Sequence, residues 1–293
     1  MIASKSSDFG GISLLDFSIF PRKIFQFLNV AAAVLLFVAF IPASVNAACL
    51  LGLVDRSLPI KLASFGSFKL AANPVPAGKV SITFLGHSSF LIETPGGASA
   101  VTDFNGLSSP NFVPDIVTMN NSHETHYTDT PDQRIKFALR GWSTVQGKMA
   151  RHDIRHKDLR VFNIPTNIGE YGDPKGNGNS IFVFEISGLC IAHLGHLHHV
   201  LTKEQLKALG RIDVLFVPID GGMTIQHEQA LAVIEQVAPR LVIPMHFGFI
   251  GAADQFFEMA KKLYPIKSEE GSSIILNRRS LPKSTEIRFL QGS

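Results

Sequence analysis

The order of hydrophobic patterns along the chain most constrains its fold. From Lys79 onward, short runs such as Val80–Leu85 alternate apolar and polar residues and are separated by Gly- and Pro-containing turns. Such runs predict antiparallel strands. In the second half, apolar runs alternate with helical patterns, as where His227–Val237 follows Asp213–Val217. This order predicts an α/β fold in which two sheets pack face to face with helices outside.

The patterns also place the individual elements. We predict strands at residues 80–85, 89–94, 98–102, 115–119, 159–164, 180–186, 190–193, 213–217, 241–244, 272–276 and 286–290. A helix is expected between Thr202, a favourable N-cap, and Gly210, a favourable C′ residue. Further helices are predicted at 227–237 and 253–263. The segment Thr128–Lys157 has no clear period, and we interpret it as short strands mixed with a lid.

Composition excludes several classes of protein. Hydrophobic residues make up 45% of the 293 residues and charged residues 17%, which allows a sizeable core and argues against disorder. The net charge of +3 comes from scattered basic residues, so no nucleic-acid partner is expected.

The N-terminal residues have the order of a secretory signal peptide. Arg22 and Lys23 precede an uncharged run, Val30–Ile41, and small residues follow up to Ala47. A retained membrane anchor is the alternative, and it would associate the protein with the membrane. We therefore predict a signal peptide or anchor at 1–47, a linker at 48–78 and one domain at 79–293. The expected location is the periplasm or the outer face of the inner membrane.

The chain has two cysteines, Cys49 and Cys190. Cys190 begins an apolar run, and we favour a role for it as a small core residue. A disulfide between the two is the alternative. Lipid modification of Cys49 is disfavoured, because Asn46 stands where a lipobox usually has Leu, Val or Ile.

Histidines are concentrated at the ends of predicted strands. Four of the eleven fall within seven residues, namely His193, His196, His198 and His199. His123 and His126 form a second group, and His246 ends the apolar run that begins at Leu241. Neutral imidazole is the commonest metal ligand in proteins. The placement therefore predicts one metal centre built from strand-end loops.

Several motifs in this order resemble the metallo-β-lactamase-fold hydrolases. They are Thr83–Gly97, Thr102-Asp103, Asp115–Thr118, Ala192–Gly195 and Ile243–His246. Within that superfamily the chain looks most similar to the branch of ascorbate-6-phosphate lactonase and N-acyl-phosphatidylethanolamine phospholipase D. The resemblance implies a four-layer αββα sandwich and a metal-dependent hydrolase with a small-molecule or lipid-like substrate. It also places a histidine at His87, for which we favour a core role over ligation, and an aspartate at Asp103, expected to orient a histidine or cap a turn.

The metal motif departs from the family pattern. The stretch that matches His-x-His-x-Asp-His has Asn121 in place of the first histidine and Thr125 in place of the aspartate. His196 stands where the family has its metal-bridging aspartate. Two close dications need such carboxylates to offset their repulsion. We therefore predict one divalent metal per chain, held by His126, His196 and His246.

Two further histidines receive roles in this prediction. His123 is either a fourth ligand or holds the attacking water, and His199 is a candidate proton carrier. Zinc is the expected metal, with iron or manganese as alternatives. The leading hypothesis is a hydrolase that directs a metal-bound hydroxide at an ester, lactone, amide or phosphodiester. The alternative is a catalytically inactive periplasmic binding protein of the same fold, and metal storage ranks third.

Overall fold

Two β-sheets packed face to face form the body of the protein. The computed structural model describes residues 49, 75–145, 148–167, 178–247 and 251–291. The strands are β1 (Val80–Gly86), β2 (Ser89–Glu93), β3 (Ser99–Val101), β4 (Ile116–Met119), β5 (Phe137–Arg140), β6 (Asp153–His156), β7 (Leu159–Thr166), β8 (Asn179–Ile186), β9 (Leu189–His193), β10 (Val214–Pro218), β11 (Leu241–Met245), β12 (Ile266–Ser268), β13 (Ser273–Leu276) and β14 (Glu286–Phe289). The helices are α1 (Lys203–Leu209), α2 (His227–Val237) and α3 (Ala252–Ala260).

The sheet topology brings several strand ends to one edge of the sandwich. The first sheet has six strands in the order β13-β1-β2-β3-β4-β5, and the second has eight in the order β12-β14-β11-β10-β9-β8-β7-β6. Strands β9, β10 and β11 run parallel to one another, so their carboxyl ends lie together. Strands β3 and β4 are likewise parallel in the first sheet. The histidine-bearing loops leave from these ends, as ligand-binding loops of open α/β sheets commonly do.

The main core lies between the sheets and explains why the strands alternate. Phe90 of the first sheet stacks on Phe216 of the second, with ring centroids 4.1 Å apart. Their neighbours Ile92 and Phe184 are also fully buried in this layer. Each such side chain stabilises the fold by roughly 1.5–3 kcal/mol relative to exposure. The predicted sandwich of two sheets is therefore confirmed.

The two outer faces are covered differently. Helices α1, α2 and α3 pack on the eight-stranded sheet through residues such as Leu209, Ile234 and Phe256. On the outer face of the six-stranded sheet, Val117 packs against the loop residue Phe104. Among the described residues the helical layer thus lies on one side of the sandwich.

Local sequence signals place the elements well where they are strong. Thr202 forms a capping box with Gln205 at the start of α1, and Gly210 ends the helix with φ of +65°. The segment 128–157 contains the short strands β5 and β6. The predicted signal peptide or anchor at 1–47 lies outside the described residues. Within the described part of the chain, every helix is too short or too polar to cross a bilayer.

Cys49 and Cys190 form a disulfide, which corrects the preferred interpretation of Cys190 as a lone core residue. Both residues are fully buried. The backbone N–H of Arg211 donates a hydrogen bond to the carbonyl of Cys49 at 3.2 Å. The pairing spans 141 residues, so no local pattern could have favoured it.

Candidate metal centre

Three histidines from three strand-end loops converge at the edge of the sandwich. His87 follows β1, His126 lies in the loop after β4, and His246 follows β11. One ring nitrogen from each lies within 4.8 Å of the other two. The ring centroids of His87 and His246 are 4.2 Å apart, and those of His126 and His246 are 5.3 Å apart. The backbone N–H of His246 donates to the carbonyl of His87 at 2.9 Å, which joins the two loops directly.

Two buried carboxylates face the outer ring nitrogens of this trio. Asp103 hydrogen-bonds to Nδ1 of His126, as expected for an aspartate that orients a histidine. Asp220, after β10, places Oδ2 3.0 Å from Nδ1 of His246 in an ion-pair contact. Both aspartates are buried. Metal-bound histidines typically present their second nitrogen to such a carboxylate, which fixes the ring and raises its basicity.

His196 extends the cluster from the loop after β9. Its Nδ1 lies 2.8 Å from Nε2 of His126. Asp103 binds the other ring nitrogen of His126, Nδ1, so the two contacts do not compete. In a tetrahedral zinc site with Zn–N bonds of about 2.0–2.1 Å, two ligand nitrogens lie about 3.3 Å apart. The observed 2.8 Å is about 0.5 Å shorter than that spacing and is a hydrogen-bond contact between the two rings. The predicted ligand His196 thus lies beside the trio and not in it, and His87 is its third member.

The two remaining histidines of the sequence-based prediction lie differently. His123 is exposed, and its ring lies 5.9 Å from that of His126 and 6.1 Å from that of His196, centroid to centroid. His199 has Nδ1 2.8 Å from the carbonyl of Val200, and its Nε2 accepts from the N–H of Asn167 at 3.3 Å. Among the residues that the structure describes, no ring contact joins His199 to the cluster. Its role as a proton carrier stays a prediction.

Burial and neighbouring charges set the protonation of the cluster. Although His87 is exposed as a residue, its ring is partly desolvated by the surrounding protein, and this, together with His246 and His126, lowers its pKa to about 4. Burial and the neighbouring His126 lower the pKa of His196 to about 3. Burial opposes the charged form of His126 as well, but Asp103 outweighs it and raises the pKa of that histidine. His87 and His196 are thus neutral near pH 7, with lone pairs available.

The aspartates keep their negative charge despite burial. Burial alone would raise the pKa of Asp103, but His126 holds it well below its usual range. For Asp220, His246 and Thr224 likewise outweigh burial and lower the pKa. The centre therefore combines two buried carboxylates with four imidazoles. A bound dication would neutralise this charge, and a set of imidazole donors fits a transition-metal ion such as zinc, iron, nickel or copper.

The sequence-based reasoning missed two residues of this centre. His87 was interpreted as a core residue, yet it is exposed at the site and belongs to the trio. Asp220 was not singled out. Both follow a predicted strand closely, after Leu85 and Val217, and position after a strand was the available signal. His126 and His246 were predicted ligands and do lie in the trio.

Comparisons with known proteins agree with this architecture. The model of the β-lactamase superfamily domain matches residues 81–246. A UPF0173 metal-dependent hydrolase from Carboxydothermus hydrogenoformans is 26% identical over 195 residues, covering 57% of this chain and 84% of the relative. A UPF0173 protein from Pyrococcus furiosus is 26% identical over 190 residues, covering 60% of this chain and 87% of that protein.

A solved structure of a related protein has the same fold as this chain. A protein of the metallo-β-lactamase superfamily from Thermotoga maritima superposes with a TM-score of 0.56 at 25% identity, covering 73% of this chain and all 100% of that one. The branch of ascorbate-6-phosphate lactonase stays a prediction. The family model spans more than half of the chain, so this protein belongs to the β-lactamase superfamily domain family and has the α/β sandwich of the metallo-β-lactamase fold.

Proposed function

We propose that this protein is a metal-dependent hydrolase with one divalent metal, zinc, held by His126 and His246 together with His87 and His196. The observation that carries the proposal is the trio of ring nitrogens within 4.8 Å, with a buried carboxylate behind two of its histidines. The name of the Carboxydothermus relative supports the same class. Four imidazoles surround the site, and a catalytic zinc needs only three of them beside a position left open for water, so either His87 or His196 would give way to the water.

The residues of the chain divide the remaining tasks. When bound, a divalent cation lowers the pKa of a coordinated water and polarises the substrate oxygen. Asp103 binds Nδ1 of His126, whose Nε2 faces His196, and Asp220 lies beside Nδ1 of His246. His123, an exposed imidazole beside His126 and His196, is assigned to hydrogen-bond the attacking water. A nearby base of this kind accepts the proton that the water loses.

The substrate is a small or lipid-like molecule with an ester, lactone, amide or phosphodiester bond. A panel with one chromogenic compound of each bond type tests this, using zinc-loaded protein without a histidine tag. Wild-type protein should bind one zinc and hydrolyse at least one member of the panel. His246→Ala should lose both zinc and turnover. His152→Ala is the matched control, because the ring of His152 contacts the carbonyl of Arg140, outside the metal centre. Two zinc equivalents per chain, or turnover that survives His246→Ala, would contradict the proposal.

A catalytically inactive binding protein is the second candidate. Thr125 and His196 replace the two carboxylates of the family pattern, and their loss is the observation that favours it. Under this alternative, zinc binds to the wild-type protein but every member of the panel remains intact. The same experiment therefore separates the two candidates.

We also propose that the protein is exported. The Cys49–Cys190 disulfide supports this, because disulfides persist in oxidising compartments and are rare in the cytosol. Expression of the full chain in a bacterium, followed by fractionation and intact mass measurement, tests it. Processed protein should begin near Ala48 and carry the disulfide. Unprocessed, reduced protein in the cytosol would refute export.

A further inference from the structure

Two buried asparagines, Asn120 and Asn179, lie directly behind the histidine cluster. Asn120 follows β4 and Asn179 begins β8, so each stands at the strand-end edge of a different sheet. Neither side chain has any solvent exposure. Buried amides are costly unless their polar atoms are hydrogen-bonded, so their partners indicate what they hold in place.

The side chain of Asn179 uses both ends of its amide on the loop that carries His196. Its Oδ1 accepts from the backbone N–H of His196 at 2.9 Å. Its Nδ2 donates to the carbonyl of Leu194 at 3.1 Å and to Oγ1 of Thr166 at 2.7 Å. One amide therefore fixes the chain on both sides of Gly195 and sets where the His196 ring leaves the loop.

Asn179 also contacts the second histidine loop. Its backbone forms an isolated β-bridge with Asn121, which precedes His123 and His126. Asn120 adds to this junction, since its backbone N–H donates to Oδ1 of Asp103 at 3.3 Å and Asp103 in turn binds His126. The two loops that bring His126 and His196 together are thus joined through one pair of asparagines.

Gly195 shows how closely the pair is packed on the loop. Its φ is +61°, and a Cβ atom there would lie 2.5 Å from Oδ1 of Asn179 and 2.6 Å from Cβ of Asn120. Real Cβ atoms do not approach so closely. Position 195 must therefore be glycine if the side chains of both asparagines are to pack against this turn.

We propose that Asn179, supported by Asn120, is a positioning residue that sets the approach of His196 to His126 and thereby the metal affinity of the centre. This inference rests on the proposed metal centre. Asn179 itself would not touch the metal, because its amide is occupied by the main chain and Thr166. Outer partners of this kind change metal affinity by about 10–100-fold when removed.

The test compares Asn179→Ala with Asn163→Ala in zinc-binding titrations against a chromophoric chelator. Asn163 is a matched control, since its amide also makes three hydrogen bonds, to Ala150, His152 and Ser180, none of them in the metal centre. Asn179→Ala should raise the zinc Kd by about 10–100-fold and shift the visible spectrum of the Co²⁺ form. Asn163→Ala should lower the melting temperature but leave the Kd and the Co²⁺ spectrum at wild-type values.

A double-mutant cycle shows whether Asn179 acts through His196. In a His196→Ala background, Asn179→Ala should change the zinc Kd little, because the ring that it positions is gone. A full effect in that background would overturn the proposal, as would a folded Asn179→Ala protein with wild-type Kd. If Asn179→Ala does not fold, Asn179→Ser replaces it, and an unchanged Kd there has the same meaning.

The outcomes separate this inference from the proposed function. A wild-type protein that binds zinc but hydrolyses nothing would refute the hydrolase and leave the positioning role standing, since Kd and spectrum are its readouts. A wild-type protein that binds no zinc would overturn both.

Discussion

Removing the Cys49–Cys190 disulfide should cost the protein a large part of its stability. The perturbation is Cys49→Ala, which leaves Cys190 as a buried thiol. A disulfide stabilises mainly by reducing the entropy of the unfolded chain, and the effect grows with the logarithm of the loop length. For a separation of 141 residues, the loop-closure relation gives about 5 kcal/mol at 25 °C. Native disulfides typically deliver about 2–5 kcal/mol, so we expect a loss within that range.

Denaturant unfolding measures this loss directly. The chain has one tryptophan, Trp142, which packs against Tyr127 with ring centroids 5.3 Å apart, so its fluorescence reports unfolding. The unfolding midpoint should fall in Cys49→Ala, and fully reduced wild-type protein should show a similar fall. The unfolding midpoint of Cys49→Ala should be the same with and without reductant, because the variant has no disulfide to reduce. This comparison controls for other effects of the reductant. Equal midpoints for oxidised wild-type protein and Cys49→Ala, at equal slopes, would refute the entropic argument.

Three further substitutions test the metal centre and two other parts of the fold. Asp103→Asn should weaken zinc binding by about 10–100-fold in chelator competition, because it removes the charge that orients a ligand ring; unchanged affinity would contradict that role. Burial opposes ionisation of Asp115, but hydrogen bonds from two lysines outweigh it and lower its pKa. The stabilising effect of ionised Asp115 is therefore present above about pH 4 and is lost as pH falls through the folded-state pKa. The unfolding midpoint of Asp115→Asn should lie below that of the wild-type protein at pH 7, and the difference should shrink toward pH 2. Gly221→Ala should lower the melting temperature, since φ is +73° and a Cβ would lie 2.3 Å from Nε2 of His227, whereas Gly222→Ala meets nothing within 4 Å and should be nearly neutral.

The sequence predicted most of the sandwich because its strands bury one or both faces. The alternation in Val80–Leu85 predicts a half-buried strand, and the apolar run of β10, five residues rich in Val and Phe, is short enough to favour a buried strand over a helix. The three-residue strand β12 was missed, since so short a run carries no period. Strands β5 and β6 were placed only as a mixed segment, because they are half-exposed and their patterns are weak.

The site could be predicted only in part, for a different physical reason. His126 and His246 stood out because histidine at a strand end is chemically distinctive. His87 also follows a strand, but that position alone does not separate a ligand from a hydrogen-bonded core histidine, and carboxylates such as Asp220 are common in turns. Which of these side chains meet depends on strand order across two sheets, and that order has no local signature.

Positive φ angles are concentrated at the proposed metal centre. Of the six non-glycine residues with positive φ in the part of the chain that the structure describes, three are His87, Asp103 and His246, with φ of 52°, 51° and 51°. Positive φ is uncommon outside glycine, although asparagine, aspartate and histidine tolerate it best, and a non-glycine residue in this region costs of order 1–3 kcal/mol. The backbone hydrogen bond from His246 to the carbonyl of His87 joins two of these residues directly. Strained residues cluster at ligand-binding sites, where the strain is part of the preorganisation of the site. Three strained residues within one histidine cluster therefore support the proposed metal centre by an observation separate from the ring distances.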